Sequence, residues 1–216
     1  HSEEGDEQIS PVEFIPWLEE TGLIIPAGKY VMNEAAKMCR EMQQYIPEFK
    51  VNINMSYVQT VKDNIWKDIL SVIKHYDITP ESLSLLHVEM TESGYMDMTP
   101  RFCNLRKKLK DNKISFALDD FGTGYSNLHC ICDMNPDYVK IDKDFTARAM
   151  GNARDYELFK KIIDMVHSIG IKICIEGVEK SEWDQILKKL NVDYLQGYLF
   201  GKPCEKKRFV DEFLLS

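Results

Sequence analysis

The chain has 216 residues, of which 44% are hydrophobic and 29% charged, with 11 Gly and 8 Pro. That length and apolar content suit one domain with a sizeable core and exclude disordered, collagenous and small disulfide-stapled classes. The 27 Lys+Arg against 35 Asp+Glu leave a net charge of −8, which argues against a protein that grips a nucleic acid polymer by neutralising phosphates, while a small anionic ligand stays open if a few cations supply the charge.

In chain order, Ser10-Pro11-Val12-Glu13 opens the first helix: Ser caps, Pro takes the first helical position and Glu completes a capping box, with Gly22 as the stop. A second helix follows Pro26, with Val31, Ala35, Met38 and Met42 spaced for one buried face. Short β-rich runs then alternate with helical stretches. The runs are Lys50 to Asn54, Leu85 to Met90, Ile114 to Asp119, Tyr138 to Asp142, Ile171 to Glu176 and Tyr194 to Leu199. The stretches include Val61 to His75, Thr99 to Asn112 (Thr cap, then Pro100) and Tyr156 to Ser168. Such alternation predicts a parallel sheet covered by helices, and no linker or low-complexity block divides it. Met38, Trp17 and Phe159 read as core or dimer surface.

The six cysteines, Cys39, Cys103, Cys130, Cys132, Cys174 and Cys204, form no CxxC pair and several lie in apolar runs. They read as reduced core thiols, which points to a cytoplasmic domain. No apolar run approaches the ~18 residues of a membrane span, and His1 to Gln8 has no hydrophobic signal region. No direct membrane insertion is expected, although the domain could be the cytoplasmic part of a membrane-anchored receptor.

An open doubly wound sheet and a closed (β/α)8 barrel compete for this α/β pattern. The strand residues alternate: Val51 and Ile53 against Asn52 and Asn54, Leu86 and Val88 against His87 and Glu89, Phe116 and Leu118 against Ala117 and Asp119, Ile173 and Ile175 against Cys174 and Glu176. Strands inside an open α/β sheet are apolar on both faces. One apolar and one polar-ended face favours a barrel, with outer helices on one side and a lumen on the other.

An apolar residue followed by a potential ligand or catalyst recurs at six strand ends: Ile53-Asn54, Val88-Glu89, Leu118-Asp119, Val139-Lys140, Ile175-Glu176 and Leu195-Gln196. In a parallel barrel these converge on the carboxyl-terminal face, where barrel enzymes build their sites. Grouped carboxylates need paired or coordinated countercharge. An oxygen-rich set of Asn, Asp and Glu suits Mg²⁺ or Mn²⁺ better than zinc, and Asp119-Asp120 can serve two neighbouring ions, an arrangement common in phosphate-ester cleavage. Each residue taken singly could be a solvated loop residue, Lys140 a snorkelling surface lysine, and Phe121 to Ser126 a tight loop or an anion-binding nest.

The runs FIPWLEETGLI (Phe14 to Ile24), VNINMS (Val51 to Ser56), VEMTES (Val88 to Ser93), DDFGTGYSNL (Asp119 to Leu128), VKIDKDF (Val139 to Phe145), IEGVE (Ile175 to Glu179) and QGYLFGKP (Gln196 to Pro203) resemble, in order and spacing, the EAL domain family of bacterial cyclic di-GMP phosphodiesterases. The resemblance implies a TIM-like barrel and two divalent cations. Asn54, Glu89 and Asp119 resemble ligands of the first metal, and Asp119 with Asp120 those of the second. Lys140 resembles the lysine that orients the attacking water, Glu176 the general base, and Glu92 the anchor of the loop Phe121 to Ser126, which in the family is tied to metal binding and dimerisation. Gln196 resembles a residue of the pocket floor, with Asn54 and Asp120 also facing substrate, and Glu179 a supporting carboxylate. The implied reaction is in-line attack of an activated water on phosphorus, opening cyclic di-GMP to linear pGpG.

The Glu-Ala-Leu or Glu-Val-Leu segment that names the family, with its metal-ligand glutamate, has no match; by family spacing it would precede His1. The expectation is therefore an EAL-type domain over residues 1–216, N-terminally incomplete, with the first two barrel strands missing and activity of the chain alone impaired. A homodimer, fused to sensory or GGDEF domains in the full-length protein, is what the resemblance implies. The alternatives are a non-catalytic cyclic di-GMP receptor or protein-interaction adaptor, and an unrelated metal-dependent barrel enzyme.

Overall fold

Parallel β-strands in sequential order, each followed by helix, define the architecture of the protein, seen in a computed structural model that describes residues 9–60, 65–76, 78, 86–91, 99–122 and 128–214. Two helices lead, α1 (Pro11–Thr21) and α2 (Ile24–Met42). The alternating part follows: β1 (Val51–Asn54), α3 (Tyr57–Thr60), α4 (Ile65–His75), β2 (Leu86–Thr91), α5 (Pro100–Asp111), β3 (Ser115–Phe121), α6 (Leu128–Met134), β4 (Tyr138–Ile141), α7 (Lys143–Gly151), α8 (Ala153–Ser168), β5 (Lys172–Ile175), α9 (Ser181–Lys188) and β6 (Tyr194–Leu195). The chain ends in α10 (Lys206–Phe209), continued by a π-helical turn, Val210–Leu214.

The six strands among the described residues pair in the order β1-β2-β3-β4-β5-β6, all parallel, in a curled half-barrel. Alternation decides which side chains go where. Ile53, Leu86, Val88, Phe116, Leu118, Val139, Ile141, Ile173 and Ile175 join one continuous core with the helices, reaching Phe102 and Leu105 of α5 and Phe159 and Ile163 of α8. The opposite parity lines the lumen, where Ala117, Tyr138 and Cys174 form a separate small cluster. The expected barrel-type patterning is present, on an incomplete circle of strands.

Side-chain anchors set the register. Asp137 Oδ2 accepts from the Phe116 amide at 2.8 Å, and the Asp137 amide donates to the Phe116 carbonyl at 2.8 Å, pinning the start of β4 to β3. The Arg106 guanidinium stacks 4.1 Å from the centroid of Phe116 and donates to the carbonyls of Met134 and Asn135, tying α5 to the turn before β4.

Several expectations need correction. Ser10 precedes α1 in extended conformation, but its side chain makes no capping bond; its carbonyl accepts from the Glu13 amide at 2.9 Å instead. Gly22 does stop the helix, in the left-handed region. Helix α2 starts before Pro26, and its buried face is Met32, Ala36, Cys39 and Met42, one residue on from the predicted Val31, Ala35 and Met38. Both sets share the helical spacing, and the sheet selects between them; Val31 is left 48% exposed. Phe159 is core whereas Trp17 is exposed. Cys39 and Cys174 are buried thiols as expected, but Cys103 and Cys132 are exposed, because an apolar run does not say which side of a helix a residue takes. Strand β6 stops at Leu195 rather than Leu199: Leu199 N still bonds to Val178 O beyond β5, but Phe200 N bonds to Gly197 O in a local turn. Thr99 caps α5 through the Phe102 amide at 3.2 Å, and Asn152 caps α8, which starts at Ala153, three residues before the expected Tyr156. Residues 61–64 of the predicted Val61 to His75 helix lie outside the described residues.

Candidate active site

The strands run parallel, so Asn54, Glu89, Asp119, Lys140, Glu176 and Gln196 all lie within two residues of their carboxyl-terminal ends. Lys140 is the hub. Val139 and Ile141 on either side of it are fully buried against the helices, so the two-residue period of the strand turns Lys140 into the lumen. Its Nζ lies 2.8 Å from Glu89 Oε2, 3.1 Å from Asp119 Oδ1 and 2.8 Å from Glu176 Oε1. Only 4% of Lys140 is exposed, which rules out the snorkelling surface lysine.

Adjacent strand residues point to opposite faces, yet Asp119 and Asp120 serve the same site. A bulge explains this. Between Leu118 and Phe121 the chain advances three residues while β4 advances two, from Val139 to Ile141. Asp120 takes up the extra residue in left-handed conformation, with φ 56°, and its amide donates to Asp119 Oδ1 at 3.0 Å. Bulges of this kind re-aim side chains beside active sites. Asp119, Asp120 and Glu176 each offer a carboxylate oxygen, and the three lie within 4.8 Å of one another.

Glu176 follows β5, where its amide continues the ladder to Ile141 O at 3.0 Å. Gly177 then turns the chain at φ 71°, and a Cβ there would lie 2.5 Å from Lys143 Cβ and 2.9 Å from Lys143 Cα, so a side chain is excluded on both conformational and steric grounds. Val178 N bonds to Gln196 O and Gln196 N to Ile175 O, which fastens the segment after β5 to the one after β6.

Electrostatics follow from the burial. Desolvation alone would lower the Lys140 ammonium, but Asp119, Glu89 and Glu176 outweigh it and hold the group well above the ordinary lysine range. Burial raises the Glu176 carboxyl in spite of Lys140. Burial also raises Asp120, with Asp119 and Asp142 adding to it. Below the site, burial pushes the Cys174 thiol up to about 12.

Other expected residues lie further from this hub or outside view. Asn54 is exposed and stands across from Glu89 in register. Gln196 is exposed and borders a cavity of about 580 Å³ between Met38 and the aromatic side chains of Tyr198, Phe200, Phe209 and Phe213. Glu179 is exposed. Glu92 and residues 123–127 of the Phe121 to Ser126 loop lie outside the described residues.

Sequence reading missed two groups that hold Glu89. Its Oε1 accepts from Asn52 Nδ2 at 2.6 Å and from the Tyr138 hydroxyl at 3.3 Å. Both precede a predicted site residue by two positions, and that shared parity was the available signal. Asp142 was likewise passed over: its Oδ1 caps α7 through the amides of Asp144 and Phe145.

Four carboxylates around one ammonium leave negative charge unbalanced, and those of Asp119, Asp120 and Glu176 offer hard oxygens within reach of one another. Both properties fit divalent cations of the Mg²⁺ or Mn²⁺ kind.

The EAL domain profile matches residues 1–203. The chain belongs to the EAL domain family. This EAL chain is 33% identical over 206 residues to the signalling protein YkoW of Bacillus subtilis, covering 95% of this chain and 25% of YkoW. It is 29% identical over 209 residues to the cyclic di-GMP phosphodiesterase PdeL of Escherichia coli, covering 96% of this chain and 57% of PdeL. It therefore spans only part of the length of these curated relatives. Among solved structures, this EAL fold superposes on a MucR phosphodiesterase in complex with c-di-GMP with a TM-score of 0.85 at 27% identity, over 97% of this chain and 83% of that one. Among the described residues, no helix is long and apolar enough to cross a membrane.

Proposed function

We propose that this EAL domain is a metal-dependent phosphodiesterase that hydrolyses cyclic di-GMP to linear pGpG in bacterial second-messenger signalling. The observation that carries the reading is the Lys140 hub, which gathers Glu89, Asp119 and Glu176 at the strand ends beside Asp120. The c-di-GMP complex of the similar MucR phosphodiesterase supports the choice of substrate.

Asn54, Glu89, Asp119 and Asp120 would hold two divalent cations, Mg²⁺ or Mn²⁺, with Glu176 close enough to assist. Bound there, the cations supply Lewis acidity and a water that ionises near neutral pH. Glu176 accepts the proton released as the water oxygen adds to phosphorus, and its raised affinity for protons suits it to that role. Lys140 holds Glu176 in place at 2.8 Å and presents positive charge towards the phosphate. The bond from phosphorus to the ribose 3′ oxygen breaks in line, that oxygen takes a proton from solvent as it leaves, and a 5′-phosphate remains. Gln196 and Asn54 contribute to the substrate pocket.

We also propose a homodimer, and fusion in the full-length protein to sensory or GGDEF domains in the cytoplasm. The relative MucR of Pseudomonas aeruginosa, a bifunctional diguanylate cyclase and phosphodiesterase of which this chain covers 29%, supports the fusion.

The test is chromatography of products from cyclic di-GMP and the full-length protein with Mg²⁺ or Mn²⁺. Appearance of pGpG, lost by about 10²–10⁴-fold in Glu176→Ala with folding preserved, is the expected result. Unchanged turnover in that variant overturns its role, and cyclic di-GMP binding without product favours a non-catalytic receptor.

A further inference from the structure

Glu89 is buried and its two oxygens are held from different directions. Lys140 takes Oε2 at 2.8 Å. Asn52 Nδ2, at 2.6 Å, and the Tyr138 hydroxyl, at 3.3 Å, both donate to Oε1. We infer that Asn52 and Tyr138 are positioning residues: they commit one oxygen of Glu89 and so present the other to a divalent cation. The inference rests on the assignment of Glu89 as a metal ligand in the function proposed above.

The lumen is shaped for this. Tyr138 fills it beside two small residues, Ala117, its register partner on β3, and Cys174 on β5, which leave room for the ring. The phenol has a defined polarity. A carboxylate can only accept, so the Tyr138 hydrogen goes to Glu89, and the phenol oxygen accepts from His87 Nδ1, 3.3 Å away. His87 is the register partner of Asn52, one layer below Glu89, while Tyr138 is level with Glu89 through Ala117, the register partner of both. Ligand-orienting partners of this kind contribute about 10–100-fold to metal affinity, which is the size of effect to look for.

The experiment is a Mn²⁺ titration by isothermal calorimetry, without substrate, of full-length wild-type protein and of Tyr138→Phe, Asn52→Ala and Glu89→Ala, with melting curves in EDTA. Tyr138→Phe keeps the ring and removes only the hydroxyl, so it carries the test if Asn52→Ala does not fold. The expected result is at least ~10-fold weaker Mn²⁺ binding in Tyr138→Phe at the site that Glu89→Ala also weakens, with a melting temperature in EDTA close to wild type. Wild-type affinity in Tyr138→Phe, alongside weakened binding in Glu89→Ala, overturns this inference alone. Absence of Mn²⁺ binding in the wild type, or wild-type affinity in Glu89→Ala, overturns the metal-site reading and this inference with it.

Discussion

Replacing Lys140 with methionine removes the ammonium that lies within 3.1 Å of Glu89, Asp119 and Glu176 but keeps a side chain of similar length. Removing one partner of a buried ion pair costs about 3–5 kcal/mol, because charge is left uncompensated. At about 2–4 °C per kcal/mol for a domain of this size, Lys140→Met should melt about 6–20 °C below wild type in EDTA. Millimolar Mn²⁺ offers the carboxylates another countercharge, so the gap should shrink. The pH dependence has a definite sign. Burial raises the folded-state pKa of Glu176 and Lys140 opposes the rise, so the substitution lifts it further. A raised carboxyl favours folding when protonated, and that contribution is lost as pH climbs from the ordinary carboxylate range, about 4, through the folded value. The gap should therefore widen with rising pH. Scanning calorimetry of wild type and variant, at pH 5 and 8, with EDTA or Mn²⁺, measures all three effects. Equal melting temperatures in EDTA at pH 8, or a gap that Mn²⁺ leaves untouched, would refute the view of Lys140 as the countercharge of this site.

Gly177→Ala forces a side chain onto Lys143 at a positive φ, and should cost about 1–3 kcal/mol, read as a lower denaturation midpoint. Retention of wild-type stability would mean that the turn after Glu176 can relax. Iodoacetamide at pH 9, followed by mass spectrometry, should label exposed Cys103 and Cys132 before Cys174. With its pKa near 12, Cys174 is only about one part in a thousand thiolate at that pH, so early labelling of it would contradict the burial. Phe159→Ala, at a fully buried position between α8 and the sheet, should cost about 3–5 kcal/mol in chemical denaturation, while Trp17→Ala at an exposed position should stay within about 0.5 kcal/mol.

Much of this site was legible because strand periodicity is unambiguous. The parity of Val139, Lys140 and Ile141 alone sends the lysine inward, and the same rule aligned Glu89, Asp119 and Glu176. Helix faces were less legible: Val31/Ala35/Met38 and Met32/Ala36/Cys39 have the same spacing, and only the sheet beneath α2 distinguishes them. Asp119-Asp120 was singled out through its chemistry, but the means that brings both carboxylates together was hidden, since a slip of register and a left-handed aspartate leave no mark in residue type. Asn52 and Tyr138 escaped notice for a different reason. Each is one layer below a residue with more evident chemistry, and their contact with Glu89 spans three strands.

The bulge in β3 has a consequence for tolerance to motion. Ligands drawn from different strands keep their spacing only as well as the sheet keeps its curvature, and β1, bearing Asn54, is an edge of the sheet described. Asp119 and Asp120 are joined by a single peptide bond, and Phe121 returns to register with Ile141 directly afterwards. Breathing of the outer strands can thus carry Asn54 towards or away from the centre while the spacing of the Asp119 and Asp120 Cα atoms is held by covalent geometry.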